Sequence, residues 1–340
     1  MRAHLLVRAS LSLLPFAWIA CSGRGEPKGP APGGTSGSGV VQQTSAGATG
    51  TSSASTSGAG GAGGGPVGPV PDEADLPVAL GTCPKLISGK VTFKIPGLPD
   101  RTVELRLSTK SSTLDGPLVV VWHGDAQTPK AALDEVLGSN YVAKIMAAGG
   151  IVAAPYNDTQ AGPRVWHSSE GDFKVDDDFV LFDQLVACAR SEVGIDLRHI
   201  HVAGYQRGGF QAAHSAILRS GYVASAVIYS GGIAGEPLEP KTGLAYPLIV
   251  VHGGETLDVT DLALGEASDA LAKKASQGAA PFTVEHFTVI CDHGNGPTLP
   301  TEMHAPAYEF QTDHPFGTIE SPYGKSLDPP FPVYCSIAGP

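Results

Sequence analysis

Residues 199–209 read HIHVAGYQRGG, and this stretch decides the fold. Its first five residues favour a β-strand, and the glycines that follow at 204, 208 and 209 favour a sharp turn. Residues 209–219 are rich in alanine and can bury one apolar stripe of a helix. The stretch therefore predicts a strand, a tight turn and a helix in immediate succession.

Other short runs are nearly continuously apolar, as strands buried on both faces of a parallel sheet are. They span 118–122, 151–154, 226–229 and 248–251. Helical stripes between or after them span 130–148, 178–190 and 262–277. An alternating pair of runs, 91–95 and 102–108, predicts an antiparallel hairpin at the sheet edge. We expect an α/β protein with a doubly wound, mostly parallel sheet, flanking helices, and functional residues at the carboxyl ends of the parallel strands.

The turn at 204–208 has the setting of a nucleophile elbow, G-x-S-x-G, whose flanking glycines allow one side chain to be lifted above the sheet. Three further motifs accompany it: VVVWHG at 119–124 followed by Gln127-Thr128, Trp166 ahead of Asp177-Asp178, and DLRHI at 196–200. With these motifs, residues 80–320 resemble the esterases of the polyhydroxybutyrate-depolymerase and feruloyl-esterase group. The resemblance implies the α/β-hydrolase fold and a Ser–His–acid triad.

The sequence departs from that group at the triad positions. The elbow serine is replaced by Gln206, and an amide cannot act as the acyl-enzyme nucleophile. Pro297 stands where the group has its catalytic histidine. Asp258 is the best candidate for the acid, with Asp261 as a weaker one; the group's spacing would place the acid at Thr256. Asp258 could instead cap the helix expected near residue 262, and that is the interpretation we favour.

The paired loss of serine and histidine predicts a protein without serine-esterase catalysis. Backbone N–H groups of an oxyanion hole do not depend on side-chain identity, so Arg207 and either Asp125 or Ala126 could still offer them. We therefore expect a binding protein with an ester or polysaccharide ligand in the cleft, or an interaction protein without one. The alternative is an active carboxylic-ester hydrolase that uses displaced residues. His293 is its candidate base, and Ser230 or 168–169 its candidate nucleophile.

The sequence contains no motif typical of a metal site or a nucleotide-binding site. His199 and His201 face one side of a strand, but no third ligand accompanies them at a suggestive spacing. The acids at 176–178 suit the start of a helix, and no glycine-rich stretch has a nucleotide-binding spacing. We expect no metal and no cofactor.

The N-terminal residues predict export. Residues 1–20 carry two arginines and a short apolar run typical of a signal peptide. Cys21 follows directly and resembles the lipidated cysteine of bacterial lipoproteins, although Trp18 replaces the usual leucine; ordinary secretion is the alternative. Residues 21–71 are rich in Gly, Ser, Thr, Ala and Pro and predict a flexible linker. The α/β domain would then occupy residues 72–340, on the periplasmic or cell-surface side of a membrane.

Charge and cysteine content limit the partners and the disulfide pairings that the chain can have. A formal net charge of −11 without a basic run argues against nucleic acid, and we expect a monomer that meets the membrane only through its lipid. Four cysteines, Cys83, Cys188, Cys291 and Cys335, remain after Cys21 and allow three disulfide connectivities. Cys188 could equally be a buried free thiol.

Overall fold

The structure is a computed structural model, and it describes residues 73–157, 166, 177–233, 242–318, 320–324 and 326–339. The chain divides into two compact units, residues 1–62 and 63–340, and every described residue lies in the second. The predicted signal peptide, linker and Cys21 lie outside the described residues and stay predictions.

The described residues contain nine strands that form one sheet. In chain order the strands are β1 (Gly89–Phe93), β2 (Arg101–Leu107), β3 (Leu118–Trp122), β4 (Ile151–Pro155), β5 (Ile200–Tyr205), β6 (Ser225–Tyr229), β7 (Leu248–His252), β8 (Thr288–Asp292) and β9 (Cys335–Ile337). Their spatial order is β1-β2-β4-β3-β5-β6-β7-β8-β9. Strands β3 to β8 run parallel, whereas β1, β2 and β9 are antiparallel to their neighbours. The expected edge hairpin is β1–β2.

Helices follow most of the parallel strands. They are α1 (Pro129–Glu135), α2 (Ser139–Ala147), α3 (Asp177–Glu192), α4 (Arg207–Leu218), α5 (Leu264–Ser276) and α6 (His304–Asp313), with a 3-10 helix at Thr301–Met303. The start of α1 shows how local sequence places them: the Thr128 hydroxyl accepts from the Ala131 N–H, and Pro129 occupies the first turn.

Helices cover both faces of the sheet, as its apolar strands require. Along β3, Leu118, Val120 and Trp122 pack into one core with residues of α3, α4 and α5. Val119 and Val121 point the other way and pack with residues of α1, α2 and α6. Because successive side chains of a strand face opposite sides, one apolar strand serves two cores. The expected doubly wound, mostly parallel sheet is confirmed.

Two expectations about elements need correction. The single helix expected over 130–148 is two helices, because Gly138 has a φ of 87° between them. A Cβ on Gly138 would lie 2.3 Å from His304 Nδ1, so a side chain there would also clash. Strands β8 and β9 and helix α6 were not anticipated.

The four cysteines of the domain form two disulfides, Cys83–Cys188 and Cys291–Cys335. The free-thiol alternative for Cys188 is therefore wrong. In the described part of the chain, no helix combines the length and apolar character needed to cross a membrane.

Candidate functional site: a nucleophile elbow that carries glutamine

The elbow lies where β5 ends and α4 begins. Gln206 joins them with φ 51° and ψ −122°, a backbone conformation that costs a residue with a side chain about 1–3 kcal/mol. Two glycines allow the tight turn: a Cβ on Gly204 would lie 2.1 Å from the Gly208 carbonyl, and one on Gly208 would lie 2.1 Å from the Trp122 carbonyl. The strained turn typical of a nucleophile elbow is therefore present, and its raised side chain is an amide.

Hydrogen bonds hold Gln206 in place. Its backbone N–H donates to the Tyr229 carbonyl at 2.9 Å, and its Nε2 donates to Tyr205 Oη at 3.1 Å. Tyr205 Oη in turn donates to the Pro297 carbonyl at 2.6 Å. Burial, followed by the carboxylates of Asp258 and Asp125, raises the pKa of Tyr205 to about 12, so its hydroxyl keeps the proton that it donates.

Asp258 follows β7 and is completely buried. Its Oδ2 accepts from Ser230 Oγ at 2.7 Å and from the Gly253 N–H at 2.9 Å. Its Oδ1 is buried and has no hydrogen-bond partner among the described residues. A buried carboxylate oxygen without a donor is costly, which points to a missing partner.

The helix-capping interpretation of Asp258 is wrong. Helix α5 begins at Leu264, its N-cap residue is Ala263, and no side chain caps it. The alternative acid, Asp261, is 64% exposed and pairs with Arg207. Between the two candidates, Asp258 therefore has the burial and the hydrogen bonds that a triad acid needs.

Pro297 lies in the loop after β8, beside the loop that carries Asp258. The Gly296 N–H donates to the Gly253 carbonyl at 2.8 Å, and the His293 N–H donates to the His252 carbonyl at 3.0 Å. The two loops are thus joined through their backbones. Because the side chain of Pro297 has no polar atom, it supplies no proton donor or acceptor to Asp258.

His293, the candidate base of the alternative, lies in the same loop after β8 as Pro297. Its Nδ1 accepts from the Asn295 N–H at 3.3 Å, and its Nε2 is buried without a partner in the described part of the chain. Burial lowers the pKa of His293, although the Asp258 and Asp292 carboxylates act in the opposite direction. The ring makes no hydrogen bond to Gln206 or Asp258.

The expected oxyanion-hole residues lie at the same edge of the sheet. Gln127 Oε1 accepts from the Gly124 N–H at 2.8 Å and orders the loop that carries Asp125 and Ala126, and Ala126 has a φ of 60°. Gln206 Oε1 lies close to Gly124, since a Cβ on that glycine would come within 3.2 Å of it. The donor roles of Arg207, Asp125 and Ala126 stay predictions.

Arg207 spans three loops of the site. Its guanidinium pairs with Asp125 Oδ2 at 3.1 Å and with Asp261 Oδ2. These contacts join the loop after β3, the elbow and the loop after β7. The positive charge of Arg207 is therefore flanked by two carboxylates.

The other candidate residues that the structure describes are engaged in separate contacts. Ser230 is 1% exposed and bonds to Asp258, so its hydroxyl is sealed from a substrate. Residues 168–169 lie outside the described residues. His199 Nδ1 bonds to Asp196, and His201 Nδ1 bonds to Ser225 Oγ. In the ranges that the structure describes, no three His, Cys, Asp or Glu side chains are placed to hold a metal ion.

Solved structures share the overall fold of this domain. The structure titled "Crystal Structure of pOPH Native" aligns with a TM-score of 0.58 and 16% identity, over 76% of this chain and 97% of that chain. "Crystal Structure of sOPH Native" aligns with a TM-score of 0.58 and 18% identity, over 77% of this chain and 97% of that chain. The domain has the α/β-hydrolase fold. In α/β hydrolases the nucleophile, acid and histidine follow one another along the chain, which is the order of Gln206, Asp258 and Pro297.

More distant matches include esterases. LpqC, a poly(3-hydroxybutyrate) depolymerase from Bordetella parapertussis, aligns with a TM-score of 0.45 and 17% identity, over 67% of this chain and 91% of that chain. No protein-family model matches the chain, and no curated protein matches it in sequence. At 16% and 18% identity, the likeness to the first two structures shows the α/β-hydrolase fold alone.

Proposed function

We propose that this is an exported, lipid-anchored α/β-hydrolase-fold protein that lacks serine-esterase catalysis and binds a ligand in the cleft above Gln206. One observation carries the proposal. The elbow presents an amide, and one oxygen of the buried Asp258 carboxylate has no hydrogen-bond partner among the described residues. We attribute this to Pro297, which stands where a histidine is expected.

Ester hydrolysis by a triad needs a nucleophile and a base that act together. The amide nitrogen of Gln206 is a poor nucleophile because its lone pair is delocalised, and here it is engaged with Tyr205. Pro297 has no group that can accept a proton. Since triad members act as a unit, either loss alone would remove most of the catalysis.

A ligand-binding role is consistent with what the site retains. The strained elbow, the ordered loop after β3 and the Arg207 ion pairs keep a shaped surface above the sheet. Backbone N–H groups at Asp125 or Ala126 and at Arg207 would suit the carbonyl oxygen of an ester. We propose an ester or a polysaccharide as the ligand class.

Export and anchoring rest on the N-terminal sequence, and two disulfides are compatible with an oxidising compartment. We expect the mature protein to partition into the membrane fraction and the Cys21→Ser variant to appear in the soluble fraction. Equal partitioning of the two proteins would contradict the lipid anchor and would leave the proposal about the cleft intact.

Hydrolysis of p-nitrophenyl acetate and butyrate tests the loss of catalysis. We would compare the wild type with Gln206→Ser, Pro297→His and the double variant. The wild type and both single variants should be inactive, and the double variant should gain at least about 100-fold in rate. Wild-type turnover that is abolished by replacing Ser230 or His293 would support the rival interpretation, an active hydrolase with displaced residues.

A further inference from the structure

An open groove lies between α2 and α6 on the outside of the domain. Its volume of about 640 Å³ is that of a small-molecule site. One wall comes from residues 139–147 and the other from residues 301–308. The described residues that line it do not include Gln206, Asp258 or Pro297. The groove is therefore distinct from the elbow and is reached from solvent.

Contacts between the helices fix the shape of this groove. His304 Nε2 donates to the Glu135 carbonyl at 3.0 Å, and the rings of Tyr141 and Tyr308 meet edge to face with centroids 5.2 Å apart. The buried hydroxyl of Tyr141 donates to Gln311 Oε1. A groove that exists before a ligand arrives lowers the entropic cost of binding.

The polar side chains of the groove offer both donors and acceptors. Ser139 and Thr301 carry hydroxyl groups, Asn140 carries an amide, and all three residues are exposed. Lys144 and Glu302 are also exposed and have opposite charges. Because these two charges cancel, the groove favours neither an anion nor a cation. A neutral ligand with several hydroxyl groups matches it, since each hydroxyl both donates and accepts.

The apolar surfaces of the groove are small. Ala143, Ala147 and Ala305 contribute methyl groups, and Tyr308 contributes a partly exposed ring. Lys144 Nζ lies over that ring, 4.3 Å from its centroid, so one face of the ring is covered. Such surfaces suit the C–H groups of a sugar ring better than a large aromatic group or an acyl chain.

We propose that this groove binds a neutral saccharide, with Asn140 and Glu302 among its hydrogen-bonding residues. Tyr334 Oη donates to Glu302 Oε1 at 3.0 Å and orients this carboxylate. The wall formed by residues 139–147 is about 12 Å long at the rise of an α-helix, so it has room for more than one sugar ring. This site lies outside the cleft above Gln206 and does not depend on the loss of catalysis.

Three neutral or charged probes test the chemistry of the groove. Cellobiose is a neutral disaccharide, cyclohexanol has a ring with a single hydroxyl group, and succinate is an anion. Each would be titrated into the purified protein at pH 7, with ligand-observed NMR as the readout. Cellobiose should bind with a Kd of about 10 mM or lower, and the other two probes should bind at least about 10-fold more weakly.

Two variants remove the proposed contacts. Asn140→Ala and Glu302→Gln should each raise the Kd for cellobiose at least about 5-fold, because each weakens or removes a hydrogen bond to the ligand. Glu285→Gln, at an exposed position before β8, is the matched control for Glu302→Gln and should leave the Kd unchanged. Asn140 and Glu302 are exposed, so both variants should fold, and circular dichroism checks this.

Three results would overturn the inference: no binding of cellobiose by the wild type, equal binding of the three probes, or wild-type affinity in either folded groove variant. If Gln206→Ala loses cellobiose and the groove variants keep it, the sugar binds in the cleft. That result would overturn this inference and support the proposed function. Since no readout here involves ester hydrolysis, the two proposals fail separately.

Discussion

The hydroxyl of Tyr205 donates a hydrogen bond of 2.6 Å to the backbone carbonyl of Pro297. This contact joins the last residue of β5 to the loop after β8, which lie 92 residues apart in the chain. The same hydroxyl accepts from Gln206 Nε2. Tyr205 therefore connects Gln206 at the elbow with Pro297, the residue that we propose to stand in the place of a catalytic histidine.

Removing this hydroxyl should loosen the site. Tyr205→Phe leaves the Pro297 carbonyl and the Gln206 amide without their partner, so we expect the free energy of unfolding to fall by about 1–3 kcal/mol. Urea denaturation monitored by tryptophan fluorescence measures it. Tyr156→Phe is the matched control, because its hydroxyl bonds to Glu104 near the surface; it should cost less than about 1 kcal/mol. If the two variants lost the same free energy of unfolding, the hydrogen bonds of the Tyr205 hydroxyl would not hold the site together.

The close approach of the elbow to β3 gives a second prediction. A Cβ on Gly208 would lie 2.1 Å from the Trp122 carbonyl and 2.4 Å from the His123 carbonyl, both backbone atoms that cannot rotate away. Gly208→Ala should therefore destabilise the protein by about 3 kcal/mol or more. Gly339→Ala, whose Cβ would meet no atom within 4 Å, should change stability by less than about 0.5 kcal/mol. A Gly208→Ala variant as stable as the wild type would contradict the close approach of Gly208 to the backbone at Trp122 and His123.

Much of the fold could be predicted because it depends on local sequence. The apolar run at 118–122 matches β3, and the glycines around Gln206 mark the turn before α4. Strand β8 was missed because its five residues, TVICD, are a short mixed run. The break between α1 and α2 was missed because a glycine inside a helical pattern does not by itself end a helix, and the φ of 87° at Gly138 is visible only in the structure.

The site was harder to predict than the fold because its contacts join distant loops. The residue types at Gln206, Pro297 and Asp258 were visible in the sequence. The sequence contained no signal that Asp258 bonds to Ser230 instead of capping a helix. A weak signal for the Arg207 contacts was available, since aspartates follow β3 and β7 and the carboxyl ends of parallel strands meet at one edge of a sheet.

Removal of either disulfide should lower the stability of the protein. Cys291–Cys335 closes a separation of 44 residues and Cys83–Cys188 one of 105. Replacing either pair by serine should lower the free energy of unfolding by about 2–4 kcal/mol. Non-reducing peptide mapping checks the pairing first: any other pairing among these four cysteines would contradict the described structure.

Buried histidines predict weaker folding in mild acid. Burial lowers the pKa of His214 and of His286 from 6.5 to about 4. Between about pH 6.5 and 4 the unfolded chain binds protons at these residues and the folded protein does not, so stability falls as the pH falls. In this range each histidine should contribute up to about 1.4 kcal/mol per pH unit to the slope of the free energy of unfolding against pH. Urea denaturation at pH 7, 6 and 5 should show a smaller slope for His286→Gln, and an unchanged slope would contradict the prediction.

Hydrolysis of p-nitrophenyl butyrate by the wild type, measured beside Gln206→Ala, tests the central claim most directly. The two proteins should show the same rate, because Gln206 supplies no nucleophile and Pro297 supplies no base. A wild-type rate clearly above that of Gln206→Ala would show that the elbow residue takes part in catalysis and would contradict the claim.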